Sequence, residues 1–185
     1  MPAVGLQEQR IDLRRTMGER CNMAASLINS HSRPAVAWCN LNEESHSLAR
    51  MISGAVEVQG SDSEEAKEEA LDGFARGDIR VLVTKSSICG FGLNWQHCAH
   101  TTMFPSHSYE QYYQSVRRFW RFGQKNPVTV DMITTDGQDN VLENLNRKSA
   151  ASDKMFEQLV SMMWRELKLE TQNEYTKKEQ VPSWL

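Results

Sequence analysis

Five short apolar runs separated by stretches of helical periodicity constrain this chain more than any other feature. Residues 35–39 read Ala-Val-Ala-Trp-Cys, and comparable runs fall at 55–58, 80–83, 101–104 and 128–133. A strand that is apolar at consecutive positions has no face for solvent, so it must be covered on both sides. Between the runs the pattern turns helical, over residues 43–53, 63–75 and 108–123. Strands alternating with helices predict an α/β domain around a central parallel sheet, because parallel neighbours need a crossover long enough to hold a helix.

The flanks are helical. Leu6, Ile11, Leu13, Met17, Cys21, Ala24, Leu27 and Ile28 recur near helical spacing, with Arg10, Arg14, Arg15 and Arg20 between them, and predict one or two amphipathic helices. His31-Ser32-Arg33-Pro34 then breaks the pattern ahead of the first strand. From residue 139 to 169, Val141, Leu142, Leu145, Met155, Phe156, Leu159, Val160, Met163, Trp164 and Leu167 predict a long helix or helix pair. Three regions are expected: an N-terminal helical linker over 1–33, an α/β domain over 34–137, and a helical extension with a polar tail over 138–185.

Composition excludes several classes. At 185 residues and 39% hydrophobic content the chain is long enough for one packed domain with extensions, but not for two. A net charge of -3 excludes a broad basic face, so any nucleic-acid contact must be local. No apolar stretch reaches the roughly 20 residues needed to span a bilayer, and the start lacks a secretory core; a soluble, cytoplasmic protein is expected. Cys21, Cys39, Cys89 and Cys98 form no Cys-x-x-Cys pair, which predicts reduced thiols. His97, Cys98 and His100 lie together without a second ligand pair, so no metal site is expected. The acidic run at 62–72 reads as a solvated helix face.

Two segments carry chemistry. In SYEQYYQSVRRFWRFGQ, a three-residue separation on a predicted helix puts Arg118 and Arg121 on one face, where both guanidinium groups could meet one anion such as a transferring phosphoryl group. The same segment also reads as a surface helix with a buried aromatic face of Tyr109, Tyr112, Phe119 and Trp120. In VLVTKSSICGFGLNW, a glycine-rich loop follows a strand, and Gly90 and Gly92 either permit close approach of backbone to a phosphate or ribose or only relieve backbone strain in a plain strand-to-helix turn. The third glycine of a dinucleotide fingerprint is missing, because Trp95 stands in its place.

Taken in this order, the segments resemble the C-terminal RecA-like motor domain of superfamily 2 helicases, most closely the Swi/Snf-like translocases and phage helicases. The resemblance rests on Gln114, Arg118, Arg121, Gly123 and Gln124 for the last motif, and on Thr84, Gly90, Gly92, Leu93 and Asn94 for the one before it. Asn40 after the opening strand and the pair Gly60-Ser61 match less specifically; Cys89, Trp95 and Trp120 depart from the pattern. The resemblance implies a three-layer RecA-like fold, with Arg118, Arg121 and Gln114 in catalysis and Gly90, Gly92 and Asn94 near the nucleotide. It further implies that Asn40, Ser61, Thr84, Lys85 and Ser86 line a nucleic-acid backbone, DNA or alternatively RNA. A few hydroxyls, amides and cations suffice for that grip, which reconciles it with the acidic charge.

Hydrolysis of ATP in such enzymes also needs a Gly-x-x-x-x-Gly-Lys-Ser/Thr loop and an acidic metal-binding strand end, and the chain contains no Gly-Lys pair. ATP and Mg2+ are therefore expected to be bound mostly by a first RecA-like lobe elsewhere, and the chain alone should not turn over ATP. Two readings stay open: half of a two-lobed ATP-dependent helicase or translocase, or a stand-alone nucleic-acid- or helicase-binding regulatory domain.

Overall fold

A computed structural model describes the backbone of residues 6–88, 93–135 and 138–174, and the side chains of residues 11–88, 93–135 and 138–163. The elements run α1 (Leu6–Arg15), α2 (Met17–Asn29), β1 (Ala35–Trp38), α3 (Asn42–Met51), β2 (Ala55–Glu57), α4 (Glu64–Arg76), β3 (Val81–Thr84), β4 (His100–Met103), α5 (Tyr109–Arg117), β5 (Thr129–Met132) and α6 (Asp139–Glu174). All five predicted strands form, each within two residues of its expected ends.

The strands make one sheet in the order β2-β3-β1-β4-β5, and every neighbouring pair is parallel. The three inner strands explain the apolar runs, since β1, β3 and β4 are buried at every position. Alternate residues of β1 feed two cores. Ala35, Ala37 and Cys39 pack with Cys21, Ala24, Ala25 and Ile28 of α2 and with Leu48 of α3 on one face. Val36 and Trp38 pack with Leu71 and Phe74 of α4, Trp95 and Phe119 on the other. Helices cover both faces, as the α/β expectation requires.

Cys21, Ala24 and Ile28 are 0% exposed, so α2 packs into the first core. One element boundary differs from expectation. The helix predicted over 108–123 ends at Arg117, six residues early. On α4 the acidic residues Glu64, Glu65, Glu68 and Glu69 are exposed, and Ser63 caps the helix by accepting from the Ala66 amide at 3.2 Å. Gly77 closes it at φ 87°, a conformation open to glycine.

The body that carries the sheet runs to Leu145, and residues from Asn146 onward form a second unit. Val141 and Leu145, early in α6, are buried. Beyond them Met155, Phe156, Leu159, Val160, Met162 and Met163 are exposed, and the side chains of Trp164 and Leu167 lie outside the described residues. Among the described residues no helix is long and apolar enough to cross a membrane.

Candidate functional site

In a parallel sheet every strand ends on the same edge, and the strand order sets which loop residues become neighbours there. Ser61 follows β2, Lys85 and Ser86 follow β3, and Asn40 follows β1, so the order β2-β3-β1 lays them in a row along the carboxyl edge. With about 4.8 Å between strands, the ends of β2 and β1 lie roughly 10 Å apart.

Local bonds fix each position. Ser61 is exposed on a turn pinned by the Gln59 amide, which donates to Asp62 Oδ2 at 2.7 Å. Lys85 Nζ donates to Asn42 Oδ1 at the start of α3. Asn40 Nδ2 donates to the carbonyls of Phe104 and Pro105, at 3.2 Å each, and so ties the end of β1 to the end of β4. Asn40 and Ser86 also line one small pocket with Ser106 and Gln111. Thr84 is the exception. It is 0% exposed and its hydroxyl donates to the Val58 carbonyl at 3.1 Å, so this side chain holds the segment after β2 against β3.

The arginine segment lies at the far end of α5, away from this row. Ser108 caps the helix by accepting from the Gln111 amide at 3.3 Å, and Gln114 is exposed on it. A nine-residue helix rises by roughly 13 Å, so the arginine turn is separated from the carboxyl edge by about that length. The predicted shared helix face is not formed. Arg118 is the C-cap of α5 at φ -70°, ψ -30°, and Arg121 lies in the following turn.

Long-range bonds end the helix there. The Trp95 amide donates to the Arg118 carbonyl at 3.0 Å, and Gln124 Nε2 donates to the carbonyls of Phe119 and Cys98 at 3.2 and 3.1 Å. Gln96 Nε2 donates to the Phe122 carbonyl. Gly123 turns the chain at φ 97° beside Gln96, where a Cβ would lie 3.2 Å from Oε1. The turn is therefore clamped to residues 95–98, directly after the glycine-rich segment. Gly90 and Gly92 themselves lie outside the described residues; Asn94 is exposed against the clamp.

Within the turn the two arginines are placed differently. Arg118 is 7% exposed and its guanidinium carbon lies 5.6 Å from the centre of the Trp95 ring. Arg121 is exposed, and its Nε donates to the Arg117 carbonyl at 3.0 Å. Of the aromatic face expected to be buried, Phe119 is 0% exposed but Trp120 is 61% exposed.

A buried ion pair beneath the carboxyl edge was not anticipated. Glu44 Oε2 accepts from the amides of Asn40 and Leu41 at 2.8 and 2.9 Å. Its Oε1 lies 2.7 Å from Arg20 Nη2, with both side chains at most 2% exposed. The usual signal is a Ser or Thr cap with Glu three residues on; here Leu41 holds the cap position, so only half of that box is present. Arg20 also lines a cleft of about 390 Å3 with Asp12, Arg15, Thr16, Thr134 and Thr135. A hydrogen bond from Arg15 holds the Asp12 carboxyl below its usual range.

The family model for the helicase conserved C-terminal domain matches residues 19–123. The bifunctional helicase and thymine dioxygenase JBP2 of Leishmania infantum is 32% identical over 96 residues, which are 50% of this chain and 9% of that protein. The chain thus spans about a tenth of that relative. Among solved structures, the C-terminal domain of the DEAD-box protein Dbp5 superposes at a TM-score of 0.61 and 13% identity, over 71% of this chain and 78% of that one. The C-terminal part of the Fun30 ATPase domain does so at 0.57 and 16%, over 67% and 43%. These structural likenesses establish the fold.

Proposed function

This chain belongs to the helicase conserved C-terminal domain family of superfamily 2, and from that premise we propose that it is the second motor lobe of an ATP-dependent nucleic-acid helicase or translocase. The observation that supports this most is the clamp between residues 95–98 and the turn after α5, which leaves Arg121 exposed on a fixed backbone.

In this reading the lobe does two jobs with two surfaces. Arg121 reaches a terminal phosphate held by a first lobe and neutralises charge that develops as the phosphoryl group transfers. A guanidinium suits this task because it stays ionised and bonds phosphate oxygens bidentately. Arg118, covered and stacked on Trp95, positions the turn. Gln114 and Asn94 flank the route from this turn to the rest of the lobe. ATP and Mg2+ would be held mainly by the first lobe and would supply the transferable phosphoryl group and its charge neutralisation.

The carboxyl edge is the second surface. Ser61, Lys85 and Ser86 grip a nucleic-acid backbone through hydroxyl and ammonium groups, which position a strand without reading its sequence, while Asn40, whose side-chain amide is donated to Phe104 and Pro105, fixes the edge they stand on. Thr84 contributes by holding the edge in shape. The nucleic acid is taken to be DNA, with RNA as the alternative that a paired assay separates.

The test supplies a first lobe carrying the phosphate-cradling loop, on one polypeptide or in trans, and measures ATP hydrolysis with single- and double-stranded DNA and with RNA. Each lobe alone should stay at background, and the pair should hydrolyse ATP faster when nucleic acid is present. Nucleic-acid binding without any gain in hydrolysis would replace this reading with that of a stand-alone binding domain.

A further inference from the structure

Tyr113, Arg117, Trp120, Arg121 and Phe122 fall within ten residues of each other, at the end of α5 and in the turn after it. Tyr113 is 40% exposed, Trp120 61% and Phe122 103%, although Trp95 and Phe119 beside them are fully buried. Large aromatic surface is rarely left in water without a use, since each ring would release free energy on burial. Arg117 organises this surface: its guanidinium carbon lies 5.6 Å from the centre of Tyr113 and 5.4 Å from that of Trp120. A cation between two rings restricts their rotamers before any ligand arrives, which lowers the entropy lost on binding.

The segment that carries the rings is rich in cations, with Glu110, one helical turn before Tyr113, the nearest carboxylate in sequence. From Gln111 to Val130 the chain has Arg117, Arg118, Arg121 and Lys125 and not one Asp or Glu, although the protein as a whole carries -3. Arg121, whose Nε is held on the Arg117 carbonyl, stands on the same turn as Trp120 and Phe122. An apolar protein segment would gain nothing from that field. A flat π-system linked to phosphate would gain from both the rings and the cations.

We propose that Tyr113, Arg117, Trp120 and Phe122 form a stacking platform for the nucleobase of a phosphate-bearing ligand. The ligand is either a mononucleotide or an unpaired base of a nucleic-acid strand, two sources of the same chemistry. The platform adds a base-binding function to a turn assigned so far only to phosphate, and it rests on the phosphate reading of Arg121 only for what draws the ligand in.

Two pairs of probes on the full chain test it by titration calorimetry: ATP against inorganic tripolyphosphate, and a short oligothymidylate against an abasic oligonucleotide of equal length. The platform predicts that, in at least one pair, the base-bearing probe binds at least about fivefold tighter than its base-free counterpart. The pair that shows the difference identifies the source. Trp120→Leu should erase the difference and leave base-free affinity unchanged, with no change in melting temperature because the ring is exposed. Equal affinities within both pairs, no binding of either base-bearing probe at low-millimolar concentration, or an equal loss on both members in Trp120→Leu would overturn the proposal. Arg121→Ala should weaken base-bearing and base-free probes alike; if it changes neither while Trp120→Leu still erases the difference, the phosphate reading falls and the platform stands.

Discussion

Glu44 is the residue on which the carboxyl edge depends most. One oxygen holds the amides of Asn40 and Leu41 and the other holds Arg20, so a single carboxylate joins the β1 turn, the start of α3 and helix α2. Glu44→Gln should lower unfolding free energy by about 3–5 kcal/mol, because it strands a buried guanidinium. Urea melts would read that loss, and a change below about 1 kcal/mol would show that the pair is not closed in solution. The arginines teach a related lesson at this scale. Spacing alone made Arg118 and Arg121 equivalent, yet one is covered and the other is free to meet a ligand surface. The difference comes from Trp95, a residue more than twenty positions away whose amide takes the Arg118 carbonyl.

At the scale of elements, the strands were legible because burial on both faces leaves an uninterrupted apolar signature in β1 and β3. The end of α5 was not, because nothing between Arg117 and Gly123 breaks a helix locally; the clamp from Trp95, Gln96 and Gln124 does so through tertiary bonds. Gly123→Ala should therefore strain the turn at φ 97°, destabilise the domain by about 1–2 kcal/mol, and weaken phosphate binding by displacing Arg121. An unchanged melt and unchanged binding would mean the turn is not fixed by this glycine. At the amino edge of the sheet, His31 Nε2 meets His100 Nδ1 at 2.8 Å, and His100 Nε2 meets Asp131 Oδ2 at 2.8 Å. Burial, then the neighbouring His100, Arg33 and Arg80, depress the His31 pKa below 6.5. A depressed pKa means that the neutral form is favoured in the fold. Its stabilisation is complete above pH 6.5 and is lost as pH falls through the lower folded value. Denaturant midpoints should accordingly drop on acidification from neutral pH, and less steeply in His31→Asn; parallel pH profiles would contradict the assignment.

At the scale of the whole molecule, the structure separates two surfaces by about the length of α5: a polar carboxyl edge and a cationic aromatic turn, whose exposed Trp120 the sequence pattern had placed on a buried face. Both were legible as residue types, but Thr84 shows the limit, since its hydroxyl belongs to the apolar run that ends β3 and is spent on the Val58 carbonyl. Helix α2 was legible as an amphipathic helix but not as part of the core, because the partners of Cys21, Ala24 and Ile28 come from strands that follow it. The central claim is that Arg121 completes a phosphate site that another lobe begins. It is tested most directly by steady-state ATP hydrolysis of the two-lobed protein, comparing wild type with Arg121→Ala and Arg121→Lys in saturating nucleic acid. The account predicts a fall in kcat of about a thousandfold or more for Arg121→Ala, with little change in KM and no full rescue by lysine, whose single ammonium cannot bond phosphate bidentately. Hydrolysis within a few-fold of wild type in Arg121→Ala would contradict it.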